Sequence, residues 1–301
     1  MFERFGASAI VVIAFLLSAP AKLEAQAVCS APHSAPNISA GGSLTTLSPG
    51  HGWFLATLHR VRSNEFYGSN GTSRPFLGGS ESITNSAFLT GAIGLTWGVE
   101  LWAQVPIHAL RFDDPTGRRQ RTALGDPRVS LRIGSELFTD ARWPVSVRAG
   151  IKFAGTEFPV DAQVIPLSEG QTDYELVLES GWSFQGVPLY VVGWAGYRWR
   201  TEDRSTGREP GDERFAHISV GRAWGSVRLE LGLEVLDGLA PVQNRVSIPA
   251  SARHLVQLSP TIGWSVGPGS LEFGGQIPLS GRNLPTGPGL GLGYLLTWGS
   301  L

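Results

Sequence analysis

Val227-Arg228-Leu229-Glu230-Leu231-Gly232-Leu233-Glu234-Val235 alternates apolar and non-apolar positions without a break. A period of two puts successive side chains on opposite faces of an extended chain, so the stretch reads as a strand. One face is Val227, Leu229, Leu231, Leu233 and Val235; the other carries Arg228, Glu230 and Glu234. The first face has to be covered by something apolar, and the second has to meet water or opposite charge.

The same alternation recurs along the chain. Val129, Leu131, Ile133 and Leu137 oppose Arg128, Arg132 and Glu136, and Val145, Val147, Ala149, Ile151 and Phe153 oppose Arg148 and Lys152. Val99, Leu101, Ala103, Val105 and Ile107 oppose Glu100, Gln104 and His108. In the last strand Leu290, Leu292, Tyr294, Leu296 and Trp298 oppose Gly289, Gly291 and Gly293. The pattern predicts about twelve strands, over 50–62, 82–96, 99–112, 124–137, 145–156, 173–184, 188–202, 213–223, 226–237, 254–265, 270–280 and 288–299. Most run about ten to fourteen residues, long for a soluble sheet and suited to a tilted membrane strand.

The connections alternate in length. Short turns fall at 97–98, 140–144, 185–187, 224–225 and 267–269; long polar loops fall at 63–81, 113–123, 157–172, 203–212, 238–253 and 281–287. Short turns at one end and long loops at the other are the asymmetry of an outer-membrane barrel, and an even strand number puts both termini at the short-turn end. Most of the ten tryptophans recur at that end, once per hairpin: Trp53, Trp97, Trp143, Trp182, Trp224, Trp264 and Trp298. Their spacing of roughly forty residues predicts an aromatic girdle at one membrane interface. A propeller repeats at a similar period but packs four short strands into it, whereas here two long ones fit.

The expected fold class is therefore all-β, a transmembrane antiparallel up-and-down barrel, with its charged faces inward. Arg132 falls near mid-strand, and a slip of one residue would put it in lipid at a cost of roughly 2–4 kcal/mol.

The leading residues fit export. Arg4 precedes an apolar stretch from Ala7 to Leu17, and Ala25-Gln26-Ala27 matches a small-x-small cleavage pattern. The expected organisation is a signal peptide at 1–27, a Ser-, Ala-, Pro- and Gly-rich segment at 28–48, and the barrel at 49–301. Val28 before Cys29 is a poor context for lipidation, and a single cysteine permits no intrachain disulfide. A net charge of -1 argues against a nucleic-acid partner, whose surface needs a basic excess.

The inward parity assigns a set of pore-lining charges. The basic members are Arg128, Arg132, Arg148, Lys152, Arg198, Arg200 and Arg228; the acidic ones are Glu100, Glu136, Glu175, Glu179, Glu230, Glu234 and Glu272. Basic residues dominate the fourth and fifth strands and acidic ones the sixth, which predicts ion pairs between walls. These charges either hold a narrow interior together or line a watery path, and about twelve strands is intermediate between filled and open barrels. Residues 28–48 could fold into the mouth and narrow it.

Catalysis finds little support. G-x-S-x-G, H-E-x-x-H and clusters with metal-ligand spacing are missing from the sequence. The expectation is therefore no enzyme, no cofactor and no metal. His59 and His108 are candidates only for a hydrolase at the outer rim. Asp113-Asp114 reads as a solvated turn, and Arg118-Arg119-Gln120-Arg121 as a basic stretch of an outer loop that could meet lipopolysaccharide phosphates.

Leu124-Gly125-Asp126-Pro127-Arg128-Val129-Ser130-Leu131 resembles the Gly-Asp strand opening of outer-membrane transporters of the meta-pathway phenol-degradation type. Trp97-Gly98-Val99-Glu100-Leu101 running to Val105-Pro106 is similar, as is Gln276-Ile277-Pro278-Leu279-Ser280-Gly281-Arg282-Asn283-Leu284 with the glycine-alternating strand after it. The resemblance covers most of residues 50–301. It implies an outer-membrane channel for a small solute, hydrophobic or aromatic, with outer-membrane lipid around it and the barrel-assembly machinery needed for its biogenesis. Many such barrels end in Phe, whereas this chain ends Trp298-Gly299-Ser300-Leu301.

Overall fold

The computed structural model describes residues 45–138, 144–155, 168–184, 186–203 and 207–299. The signal peptide, Cys29, nearly all of the lead segment, Trp143 and Leu301 lie outside the described residues.

Twelve antiparallel strands close into a barrel. They are β1 (Gly52–Ser63), β2 (Glu81–Thr96), β3 (Val99–Asp114), β4 in two pieces (Gly117–Leu124 and Arg128–Gly134), β5 (Val145–Lys152), β6 (Asp173–Ser183), β7 (Leu189–Arg200), β8 (Glu213–Trp224), β9 (Val227–Gly238), β10 (His254–Val266), β11 (Gly269–Arg282) and β12 (Gly289–Trp298). Each pairs with its sequence neighbours, and β1 pairs with β12 through Gly52–Trp298 to Val61–Gly289, so the sheet closes on itself; the Gly117–Leu124 piece of β4 pairs with β3 alone among the described residues. Within the closed ring the strands pair on both sides, which lipid demands.

The faces follow the alternation. Leu231 is 49% exposed on the outside, whereas Glu230 beside it is 7% exposed inside. The outward residues form an apolar belt of Val, Leu, Ile and Phe, while the buried residues are dominated by Ser, Thr, Glu, Arg and His. This inversion of a soluble core is the signature of a barrel that sits in lipid.

The fourth strand departs from the expected 124–137. It begins at Gly117, is interrupted at residues 125–127 and resumes at Arg128, with β3 pairing to both pieces. Gly125 still donates to Pro106 O at 2.9 Å, so the gap is laced to β3. The expected long loop at 113–123 is a tight hairpin, Asp114 opposite Gly117. Arg118 lies opposite Asp113 and pairs with it at 2.9 Å, and Arg119 pairs with Asp114, so opposite charges across the ladder extend both strands. The basic stretch is thus strand rather than loop. Asp113-Asp114 is not a free solvated turn either, since it supplies the carboxylates for these arginines. At the other end the strand stops at Gly134, and Ser135–Leu137 is a 3-10 turn. Glu136 therefore does not lie on the inner face of a strand; its carboxylate accepts from Thr46 N at 2.8 Å.

Candidate functional site in the barrel lumen

The remaining thirteen of the charged residues expected inside share the inward parity of their strands. Glu100 is on β3, Arg128 and Arg132 on β4, Arg148 and Lys152 on β5, Glu175 and Glu179 on β6, Arg198 and Arg200 on β7. Arg228, Glu230 and Glu234 are on β9 and Glu272 is on β11. On the β3–β8 wall they form a continuous ladder of ion pairs. Arg132 reaches Glu100 at 3.3 Å and Glu179 at 2.9 Å; Arg148 reaches Glu179 at 2.6 Å; Glu175 joins Arg128 and Arg198, each at 3.2 Å. Sequence order brings Arg132 to Glu100, Arg148 to Glu179 and Arg198 to Glu175, because the inward rows of neighbouring strands face each other, whereas Arg132–Glu179 and Arg128–Glu175 reach across β5.

At the long-loop end the ladder recruits residues the sequence did not single out. Lys152 sits among Asp126 at 3.0 Å, Glu169 at 3.1 Å and Asp173 at 2.9 Å. Arg198 binds Glu213 at 2.6 Å, Arg200 binds it at 3.1 Å, and Arg253 binds both Glu213 at 3.0 Å and Glu169 at 3.3 Å. Asp173 and Glu213 open their strands on the inward parity, a readable signal. Glu169 and Arg253 come from loops folded into the mouth, and nothing in their local sequence marks them. Arg200 and Glu213 are fully buried at their side chains, so the centre of this cluster is dry, while Glu169 and Arg253 at its edge keep 18% and 17% of their side chains exposed.

Partly exposed charges also lie elsewhere in the lumen. The side chains of Arg228, Arg148 and Glu234 are 29%, 19% and 18% exposed. Arg148 lies 5.1 Å over the Trp102 ring, Trp194 stacks on His217 at 5.2 Å, Tyr190 OH donates to Glu230 at 2.6 Å, and Arg228 binds Glu272. None of these aromatic residues belongs to the expected girdle; Trp102, Trp194 and Tyr190 share the inward parity of their strands.

The short-turn mouth is lined by the end of the lead segment. Leu47 is 3% exposed, packed with Trp53, Leu55 and Ala92, and Trp102 and Leu295 flank it. Its N–H donates to Glu100, which also accepts from Trp102 Nε1 at 2.7 Å. Gly50 N donates to Gly94 O at 2.9 Å, and a Cβ on Gly94 would meet Leu47 O at 2.7 Å. Glycine at 94 is what lets the segment lie against the wall.

That packing corrects the expected girdle. Trp53 is 2% exposed and meets Trp102 edge-on at 4.8 Å; it points inside because it shares its parity with Leu55 and Thr57. Trp97, Trp224, Trp264 and Trp298 are exposed, and Trp182 has the outward parity of β6. Trp143 lies outside the described residues. At the opposite interface Phe153, Tyr174 and Trp199 are exposed and outward, a second aromatic arc on adjacent segments that the forty-residue period does not contain.

His59 and His108 lie within the wall, 3% and 2% exposed, and not at an outer rim. Ser86 Oγ and His108 Nδ1 are 2.8 Å apart, and Ser86 is itself 4% exposed, so the pair is buried on the inner face of the sheet. Among the described residues no group of three or more His, Cys, Asp or Glu is arranged to hold a metal ion.

Fold and faces define an outer-membrane β-barrel with a polar, ion-paired interior. No protein-family model matches the sequence, and no curated protein matches it. Solved structures do match its fold. The COG4313 outer membrane channel from Pseudomonas putida F1 superposes with a TM-score of 0.71 at 15% identity, over 85% of this chain and 98% of that one. The beta domain of the Bordetella autotransporter BrkA gives 0.51 at 11% identity, over 83% and 100%. The Ralstonia pickettii toluene transporter TbuX gives 0.46 at 10% identity, over 84% and 90%. Identities this low bear on the fold alone.

Proposed function

We propose that this barrel is an outer-membrane channel for passive passage of a small solute. The observation that carries the reading is a polar, ion-paired interior whose charges stay partly exposed at several levels: Arg148, Arg228 and Glu234 keep 19%, 29% and 18% of their side chains exposed, and the loop residues Glu169 and Arg253 keep 18% and 17%. A barrel that served only as a structural element would gain nothing from exposed charges and aromatic rings along its lumen. The charges along β3–β8 compensate one another, so the path filters chiefly by size and favours solutes of low net charge. A hydrophobic or aromatic solute follows from the family resemblance and suits Trp102, Trp194 and Tyr190 in the lumen. Arg118, on the outward face and 59% exposed at its side chain, is the member of the basic stretch placed to meet lipopolysaccharide phosphates.

The test is single-channel recording of the refolded protein in a planar bilayer. Discrete steps whose size changes with Arg148→Ala support the channel. A folded, inserted barrel that passes no current, with or without residues 28–48, refutes it.

A further inference from the structure

At the long-loop end the outward face of β1–β4 carries four arginines in consecutive rows. Arg60 and Arg62 are on β1, in step with Phe54 and Leu58 of the apolar belt. Arg111 is on β3, in step with Val105 and Ile107, and Arg118 is on the upper piece of β4. The ladders set them in register. One row runs Arg60, Asn85, Ala109 and Thr122; the next runs Arg62, Ile83, Arg111 and Gln120; the last runs Glu81, Asp113 and Arg118. With strands about 4.8 Å apart and residues on one face about 6.8 Å apart, the four backbone positions fall within a patch of roughly 15 Å by 14 Å.

The patch is short of anions. Its four guanidinium groups share two carboxylates: Arg62 pairs with Glu81, while Arg111 and Arg118 both pair with Asp113. Arg60 is exposed and has no ion-pair partner among the described residues. The paired arginines are accessible too, since the side chains of Arg62 and Arg118 are 70% and 59% exposed. Directly below, the outward face is apolar, with Leu58, Leu89, Val105 and Ile107 exposed. The same interface beside β5–β7 carries Phe153, Tyr174 and Trp199 instead, so the cations are gathered on one arc of the barrel. Guanidinium groups held at the edge of an apolar belt extend to the head-group level, where the available counter-charge belongs to the lipid.

We propose that this arc is a binding site for the doubly phosphorylated head group of one lipid A molecule, the anchor of lipopolysaccharide. The long-loop end faces the outer leaflet, where that lipid resides. Guanidinium forks match phosphate oxygens two at a time, and the rows offer donors at more than one height for a head group with two phosphates. The acyl chains lie on the apolar strip of Leu58, Leu89 and Val105. Arg60 supplies the charge that no carboxylate of the patch offsets. The inference rests on the lipopolysaccharide contact read for Arg118 and extends it to a site across four strands; it does not depend on the lumen conducting.

The experiment is native mass spectrometry of the refolded barrel in detergent with EDTA, titrated with hexa-acylated diphosphoryl lipid A. One saturable adduct is expected. Dephosphorylated lipid A with the same acyl chains, and phosphatidylglycerol, should each require about tenfold more lipid, because the charge-assisted bonds to two phosphates are lost. The Arg60→Gln, Arg111→Gln double variant should weaken the adduct by a similar factor. Arg222→Gln removes an outward arginine near the short turn at Trp224 and should leave the adduct unchanged. The gel shift between folded and unfolded forms checks each variant; if the double variant does not fold, Arg60→Gln, which breaks no ion pair, takes its place and should also weaken the adduct. Equal binding of phosphorylated and dephosphorylated lipid A overturns the site, as does an adduct unchanged in the folded double variant. Arg118→Gln separates the two readings. An adduct kept there but weakened in the double variant sustains the site and removes Arg118 from it, whereas an adduct weakened there alone leaves a single contact and overturns the site.

Discussion

Lys152→Met puts the dry upper ladder to its most direct test. Lys152 is 1% exposed at its side chain and holds Asp126, Glu169 and Asp173 within 3.1 Å. Methionine keeps the length of the side chain and removes the charge, leaving three carboxylates crowded together. Arg200 still reaches Glu169 and, at 3.5 Å, Asp173, but it already serves Glu213. Removing one partner of a buried pair costs about 3–5 kcal/mol, because the other charge is stranded. With a urea slope of about 2–3 kcal/mol/M, the unfolding midpoint should fall by roughly 1–2.5 M. Lys152→Met combined with Asp173→Leu removes one cation and one anion together, and should recover a large part of that loss. The assay is urea titration of the refolded barrel in vesicles, followed by tryptophan fluorescence and by the gel shift between folded and unfolded forms. A midpoint that moves by less than a few tenths of a molar would refute the reasoning, since it would mean that water screens the cluster and that the upper lumen is open.

Other outcomes follow from the same geometry. Leu231→Arg places a charge on the lipid face near mid-strand and should cost about 2–4 kcal/mol in the same titration, whereas Leu231→Val should be nearly silent. Brominated lipids should quench the fluorescence of a chain whose only tryptophan is Trp264, and leave a chain retaining only Trp53 bright, because Trp53 is inside; equal quenching of both would contradict its placement. Leu47→Asp introduces a carboxylate beside Glu100 and removes about 1.5–3 kcal/mol of apolar burial, so the lead segment should leave the mouth and single-channel conductance should rise. Unchanged conductance would mean that this segment does not narrow the path.

How much of this was legible depends on the distance over which each feature is specified. Strand number, the inward parity of thirteen charged residues and the pairing of basic with acidic neighbours are all encoded in a period of two, and a closed antiparallel sheet turns sequence adjacency into spatial adjacency. Parity also contained the correction for Trp53, which falls in step with Leu55 and Thr57. Recurrence at forty residues counts where a tryptophan lies along the chain but does not say which face it takes. The fourth strand misled for a similar reason. The alternation through 135–137 continues beyond Gly134, yet Ser135 begins a 3-10 turn, and the polar run at 117–124 was extended by ion pairs with Asp113 and Asp114 that only the hairpin creates.

The sequence by itself determined the barrel and the inward face of its strands, because those depend on contacts between neighbours in the chain. The tertiary structure alone decided what the lumen does with its charges. Glu169 and Arg253 arrive from separate loops to complete the ladder at the long-loop end, and Leu47 docks on Glu100 at the short-turn mouth. Each of these depends on closure of the sheet or on the folding-in of a loop, and local periodicity carries no information about either.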